Sequence, residues 1–273
     1  MENDKFMEFD KYKFNREDII GVGLTSQVYR GLNKITFDVV AIKIIKKNTK
    51  YSYLVQNEIA NLKILSGHPN IICLLDSHET ENEYILVFEY VELTLKKYLE
   101  TNQKVNLETN HQLKLIRQLI TIAELLYKNK IVHHDIKSEN ILIKIVDTNT
   151  IQLKLCDFGF SLSPNQILHK KLCGSPIYMH PSKLLYNNNF NSDEWSLNII
   201  FYEIVYGVHP FKGITTKTEL VTTIHKKHID FPEENIFTPI LRKLLLSSGN
   251  MFISTIKKDI EEIDLIDDDY VIL

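Results

Sequence analysis

The sequence predicts an α+β fold in two parts: a small antiparallel sheet with one helix, then a larger, mainly helical region. Three observations carry this. From Phe14 to Phe88, short apolar, β-branched runs alternate with turn residues, interrupted by one helical-period stretch. Beyond Val91 the apolar spacing becomes helical, most clearly where Leu115, Ile116, Leu119, Ile120, Ala123 and Leu126 share one face. At 273 residues the chain has the size of one large domain or of two small lobes sharing a cleft. Its 44% hydrophobic and 25% charged residues suffice for a sizeable core.

Composition also excludes classes of function. A net charge of -3 lacks the basic face that binds nucleic acid or a membrane surface, so neither partner is expected. No run of about 18 apolar residues occurs, so no membrane span is expected. The opening residues 1–10 are acidic and lack the apolar core of a secretory signal. Cys73, Cys156 and Cys173 are odd in number and have no metal-ligand spacing. They read as reduced thiols of an intracellular, cytoplasmic protein. A monomer is the default expectation, and no internal repeat appears.

Residues 1–13 lack periodicity and are expected to be a loosely held lead-in. Ile19-Ile20, Val28-Tyr29 and Val39-Val40-Ala41-Ile42 then read as strands. Between the first two lies Gly21-Val22-Gly23-Leu24-Thr25-Ser26-Gln27-Val28. Glycines let backbone N–H groups approach phosphate oxygens, although a Gly-x-Gly hairpin alone is more often only a turn. Lys43 follows in a β-branched strand, where a lone lysine ordinarily faces solvent. A helix is expected over residues 52–66, with Leu54, Ile59, Leu62 and Leu65 at helical spacing and Gly67 as its stop. Glu58 lies at the edge of that stripe, in position to hold Lys43. Strands are expected at Ile71–Leu75 and Tyr84–Phe88.

The second part opens with an expected short helix at Leu93–Leu99 and a long one at His111–Lys130. Ile141–Ile143 and Leu153–Leu155 read as a hairpin around the polar turn Asp147–Thr150. From Phe160 to Ser182 the chain is polar and turn-rich. Ser192–Tyr206 is apolar almost all round, the mark of a helix buried mid-domain, with Gly207 as its cap. Beyond Asn250 a last helix leads into the acidic stretch 261–273.

The chemistry concentrates in His133-His134-Asp135-Ile136-Lys137-Ser138-Glu139-Asn140, followed by Asp157-Phe158-Gly159. A carboxylate to orient a hydroxyl, a lysine to hold a phosphate and an Asn/Asp pair to grip magnesium are what phosphoryl transfer requires. These two motifs and their order resemble the catalytic loop and the DFG motif of the eukaryotic-type protein kinases. The resemblance spans most of the chain, from Phe14 to Ser248. It implies the bilobal protein-kinase fold over residues 14–250, with an N-lobe to about residue 90 and a C-lobe from about residue 91, followed by a C-terminal acidic helix or tail at 251–273.

By that resemblance the cofactors are ATP and Mg²⁺. Gly21, Val22, Gly23, Leu24, Thr25 and Ser26 would cover the phosphates. Val28 and Ala41 would form the roof over adenine and Leu142 its floor. Phe88-Glu89-Tyr90-Val91 would be the hinge, with the Glu89 carbonyl and the Val91 amide reading adenine and Phe88 behind it. Seen without the family, those four residues are simply the end of a buried strand. Lys43 would hold the α- and β-phosphates and Glu58 would hold Lys43. Asp135 would act as base, Lys137 would steady the γ-phosphate, and Asn140 and Asp157 would bind Mg²⁺. Asp193 would hold the backbone of the catalytic loop. Gly174-Ser175-Pro176-Ile177-Tyr178 and Lys137 resemble the serine/threonine kinases in particular, so the expected partner is a protein substrate. Glu139 resembles the glutamate with which basophilic kinases meet an arginine, and reads equally as a solvated loop charge.

The chain departs from the pattern at four places. His134 replaces the usual arginine and Ser182 the glutamate of Ala-Pro-Glu, Asn198 departs as well, and Leu241–Ser254 offers no Asp-Pro-x-x-Arg pattern for the late arginine. Losing both halves of a buried ion pair can be nearly neutral, whereas losing one is costly. A neutral His134 binds phosphate poorly, so activity is expected without phosphorylation of the segment. Protonation below about pH 6.5 would restore some binding. The alternatives are an ATP-binding pseudokinase scaffold and a small-molecule kinase of the same fold.

Overall fold

Six strands form one antiparallel sheet in the order β1-β2-β3-β4-β6-β5. They are β1 (Phe6–Phe9), β2 (Tyr12–Val22), β3 (Ser26–Asn33), β4 (Val39–Lys46), β5 (Leu74–Glu79) and β6 (Glu83–Glu89). The helix α1 (Leu54–Ile64) interrupts them. This computed structural model describes residues 5–23, 26–47, 54–102, 107–147, 150–163, 174–186, 193–246 and 253–269. The chain divides into two units, Met1–Glu92 and Leu93–Leu273.

Register decides what each face of the first unit does. Val28 lies opposite Lys43, Arg30 opposite Ala41, and Ala41 and Lys43 opposite Phe88 and Leu86. Side chains directly opposite share a face, so Val28, Ala41 and Lys43 stand together. The other face carries Tyr29, Val40, Ile42, Ile85 and Val87, which pack with Tyr12 and Phe14 as the core.

Residues 6–13, expected to be a loose lead-in, form the first hairpin instead. Phe6 pairs with Asn15 and Phe9 with Tyr12. The turn between them uses Asp10 in a left-handed conformation, φ 46°, so no glycine announces it. Tyr12 is 2% exposed. Its ring meets Phe9 at 5.5 Å, and its hydroxyl donates to Asp76 of β5 at 3.3 Å. β2 and β5 are four strand positions apart, about 19 Å in a flat sheet, so the sheet curls until its two ends meet. Lys11 also pairs with Asp76 at 3.1 Å, and Phe9 packs edge-on to His78 at 5.3 Å.

The strand expected at 71–75 begins later, at Leu74. The His68–Asn70 turn holds the chain back: Ile71 N–H donates to His68 O at 3.1 Å and Asn70 N–H to His68 Nδ1 at 3.2 Å. Ile71 and Ile72 are buried outside the sheet.

The second unit begins with β7 (Leu93–Thr94), where a helix was expected to start, and α2 (Leu95–Asn102) follows. β7 pairs with β8 (Ile141–Ile145), which pairs with β9 (Ile151–Leu155). The core helices are α3 (Thr109–Lys128) and α5 (Asp193–Tyr206), preceded by the short α4 (Pro181–Tyr186). α6 (Lys217–His225), α7 (Thr238–Leu246) and α8 (Lys257–Asp269) complete the unit. α5 buries Leu197, Ile199, Ile200, Phe201 and Ile204 around its whole circumference, as its sequence predicts. Gln118 of α3 clamps β9, donating to Ile151 O at 3.0 Å and accepting from Leu153 N–H at 2.8 Å. No helix among the described residues is long and apolar enough to cross a membrane. Cys73 and Cys156 are free thiols, and Cys173 lies outside the described residues.

If the first hairpin belongs to the core, Tyr12→Ala should cost about 3–5 kcal/mol in urea unfolding, as deletion of a large buried aromatic does. A change within error would return residues 6–13 to the status of a loose lead-in.

Candidate active site

In the first unit the glycine hairpin joins β2 to β3, with Gly21 opposite Val28 and Val22 opposite Gln27. Gly23 N–H donates to Ser26 O at 2.8 Å, closing the turn. Leu24 and Thr25, expected to cover phosphates, lie outside the described residues. Lys43 Nζ reaches both carboxylate oxygens of Glu58, at 2.7 and 3.0 Å. Glu58 is 2% exposed, on the inner side of α1 rather than at the stripe's edge. The helix therefore covers the sheet face that carries Val28, Ala41 and Lys43. Glu89 closes β6, its N–H donating to Cys73 O and its carboxylate accepting from Cys73 N–H, both at 3.0 Å. Phe88 is buried, and Val91 follows beyond the strand, half-buried.

In the second unit the catalytic loop forms around Asp193. Its Oδ2 accepts from His133 N–H at 2.5 Å and its Oδ1 from His134 N–H at 2.9 Å. The loop's backbone donors thus find partners without regular structure. His133 Nδ1 accepts from Asp135 N–H at 3.3 Å, which leaves Nε2 to donate to Cys156 O at 3.0 Å. The same ring packs edge-on to Phe158 at 4.7 Å. His133 thereby ties the loop to the end of β9.

The Asp135 carboxylate is buried and fully engaged. Oδ2 accepts from Lys137 Nζ at 2.9 Å and from Asn140 Nδ2 at 3.2 Å, and Oδ1 accepts from the Ser175 hydroxyl at 3.0 Å. Lys137 Nζ also donates to Ser175 Oγ at 3.2 Å. Asn140 Nδ2 donates again to Asp135 O at 2.8 Å, which turns its amide oxygen away from Asp135. Cys156 N–H donates to Asn140 O at 2.9 Å, bringing the backbone of Asn140 beside the start of Asp157-Phe158-Gly159. Asp157 is exposed and left-handed, φ 61° and ψ 66°, at a cost of about 1 kcal/mol for a side-chain-bearing residue. An amide oxygen and an exposed carboxylate on adjoining backbone are the hard donors that Mg²⁺ takes. Leu142 is half-buried on β8, beside Asn140.

Gly174 shows how closely the segment lies on this loop. At φ 97°, a Cβ there would fall 2.2 Å from His134 O, so only glycine fits. His134 is itself left-handed, φ 69°, and 5% exposed. Burial holds its imidazole down at about 4. The Asp193 charge opposes this, and the charges of Lys183 and His133 add to it. The expected recovery of phosphate binding below about pH 6.5 is therefore corrected. His134 stays neutral well below that, and its Nδ1 contacts Lys183 Nζ at 3.3 Å.

Sequence reasoning missed the parts played by Ser138, Tyr178, Glu203 and Lys183. Ser138 Oγ and Tyr178 OH are 2.9 Å apart, and Tyr178 OH donates to Glu203 Oε1 at 2.8 Å. Glu203 is 7% exposed, and an acid set between Tyr202 and Ile204 in the apolar stretch of α5 was a visible signal for it. Glu139 is paired with Lys96 at 2.9 Å, so it is not simply a solvated loop charge. No pattern announces the full burial of Lys183.

Residues 14–258 match the protein kinase domain. The chain belongs to the protein kinase family. This kinase domain is 33% identical over 241 residues to mouse serine/threonine-protein kinase 36, covering 85% of this chain and 18% of that one. It is 34% identical over 237 residues to the serine/threonine-protein kinase TIO of Arabidopsis thaliana, covering 84% and 17%. It is also 34% identical over 214 residues to human serine/threonine-protein kinase ULK1, covering 74% and 20%. The chain thus spans about a fifth of the length of these relatives. The α+β kinase fold expected from the sequence holds, with a sheet-rich N-lobe and a helical C-lobe.

Burial raises the Glu203 carboxyl of this kinase domain to about 7, against the hydrogen bond from Tyr178, which lowers it. The folded state then binds this proton more tightly than the unfolded chain, where the ordinary value is 4.5. Stability should fall as pH rises through that interval, by up to about 3 kcal/mol. Glu203→Gln lacks the titrating group. Its melting temperature should gain on the wild type between about pH 5 and about pH 7.5. Parallel curves would show that Glu203 does not carry the effect.

Proposed function

We propose that this kinase domain transfers the γ-phosphate of Mg²⁺-bound ATP to serine and threonine hydroxyls of protein substrates. The observation that carries the reading is Ser175 Oγ, which donates to Asp135 Oδ1 at 3.0 Å while accepting from Lys137 Nζ at 3.2 Å. A hydroxyl held between a carboxylate and an ammonium is in the arrangement an acceptor needs. The carboxylate takes the proton, and the ammonium neutralises charge on the phosphoryl group. In the transfer, the hydroxyl oxygen of the substrate bonds to the γ-phosphorus and the bond from that phosphorus to the bridging oxygen breaks. Asp135 receives the proton of the hydroxyl.

The residues present fit the cofactors that the family implies. Asn140 and Asp157 supply oxygen donors for Mg²⁺, which when bound offsets charge on the phosphates. Lys43, held by Glu58, is the cation for the α- and β-phosphates, and the backbone of Gly21, Val22, Gly23 and Ser26 lines their cover. Val28, Ala41 and Leu142 offer apolar contact to adenine, and the Glu89 carbonyl and the Val91 amide its edge. The names of the relatives, all serine/threonine-protein kinases, support the choice of acceptor.

The test is incubation with Mg·ATP and generic protein substrates, with phosphoserine, phosphothreonine and phosphotyrosine read separately. Transfer to serine and threonine is expected. Asp135→Asn should lower kcat by about 10²–10⁴, the value of a positioned base, and Lys43→Met should lower it comparably. ATP binding without any transfer would replace this reading with that of a scaffold. Full turnover in either variant would sink the assignment of residues.

A further inference from the structure

Lys183 lies in the first turn of α4, two residues after Pro181, with 0% of its surface exposed. Lysine is almost never buried so completely unless paired, because removing an ammonium from water costs several kcal/mol. Among the described residues its side chain makes one hydrogen bond, from Nζ to His134 Nδ1. An ammonium only donates, so Nδ1 must carry the lone pair and Nε2 the proton. The His134 N–H is held by Asp193 Oδ1, which sets a carboxylate near the same imidazole. The His134 carbonyl is the surface on which Gly174 closes, and Ser175 follows directly onto Asp135. One residue thus joins α4, α5, the catalytic loop and the segment that lies on it.

We propose that Lys183 is a positioning residue for phosphotransfer. Its buried ammonium fixes His134, and through it Asp135 and the Gly174–Ser175 turn, so that the loop is set without a phosphate on the segment. This rests on the phosphotransfer reading and adds how its base is held. Where the family places an arginine that meets a phosphate, this chain has a neutral acceptor and brings the cation from inside, on the helix that ends the segment. Such a bond is charge-assisted and short-ranged. Losing one partner strands the other in the interior, whereas replacing both with apolar groups does not.

The experiment compares phosphatase-treated wild type with Lys183→Met, His134→Leu, His134→Asn and the double variant Lys183→Met/His134→Leu. Turnover, KM for ATP and melting temperature are measured for each. Phosphatase treatment should leave wild-type kcat within about two-fold. Lys183→Met should lower kcat by about ten- to a hundred-fold, the scale of a misplaced catalytic group, with little change in KM. His134→Asn, whose Oδ1 stands where Nδ1 does, should recover most of what His134→Leu loses. The double variant should melt above either single one. Full kcat in a folded Lys183→Met, or no recovery by asparagine, would overturn the proposal.

Nitrogen NMR of the imidazole reads the pair independently of turnover. The expected result is a proton on Nε2, and a titration that moves up toward the ordinary 6.5 when Lys183 becomes methionine. Asp193 and His133 are the other titratable groups facing this ring. A proton on Nδ1 would overturn the pairing. A wild type that transfers no phosphate but shows the Nε2 proton would sink the function and leave the pair standing.

Discussion

A single carboxylate makes the second unit's loop possible. Asp193 is 4% exposed at the start of a largely apolar helix, and a bare charge there would cost several kcal/mol. Two backbone N–H groups, from His133 and His134, repay that cost through charge-assisted bonds. The helix N-terminus favours the negative charge as well. The exchange is mutual, because a left-handed residue such as His134 cannot sit in a regular ladder that would satisfy its own donor. Take Asp193 away and the loop loses its partners. Gly174 then has no fixed carbonyl to close on, and Ser175 no fixed carboxylate to meet.

How far the sequence was legible depended on whether each residue obeyed its usual preference. Lys43 and Glu58 were found because a strand and a helix of ordinary periodicity carry them, and the structure pairs them within 3.0 Å. Asp135, Lys137 and Asn140 were found because one short loop holds them all. The first hairpin was missed because a left-handed Asp10 makes its turn where glycine or asparagine usually does, and because Phe9, Tyr12 and Phe14 read as scattered aromatics until they pack. Lys183 was illegible for the opposite reason. Its burial contradicts the strongest preference lysine has, and only the fold brings up the acceptor that permits it.

The loop's two histidines show how the site disposes of its charge. His133 and His134 are both buried, and both accept through Nδ1. His134 adds no cation beside Lys137, and Lys137 is the positive group in contact with Asp135. A cation at position 134 would compete for the Asp193 charge that orders the backbone. Burial and Lys183 together keep that competition away.

The contact between Tyr12 and Asp76 has a consequence in time. They are 64 residues apart, and a ribosome adding 5–20 residues per second separates their emergence by roughly 3–13 s. Meanwhile β1 and β2 can pair locally, yet the aromatic cluster of Phe9, Tyr12 and Phe14 has no β5 to close against. The nascent first unit therefore waits as an open sheet with its aromatic edge uncovered, the kind of surface that chaperones hold. Synthesis, rather than diffusion, sets the pace at which this sheet can shut.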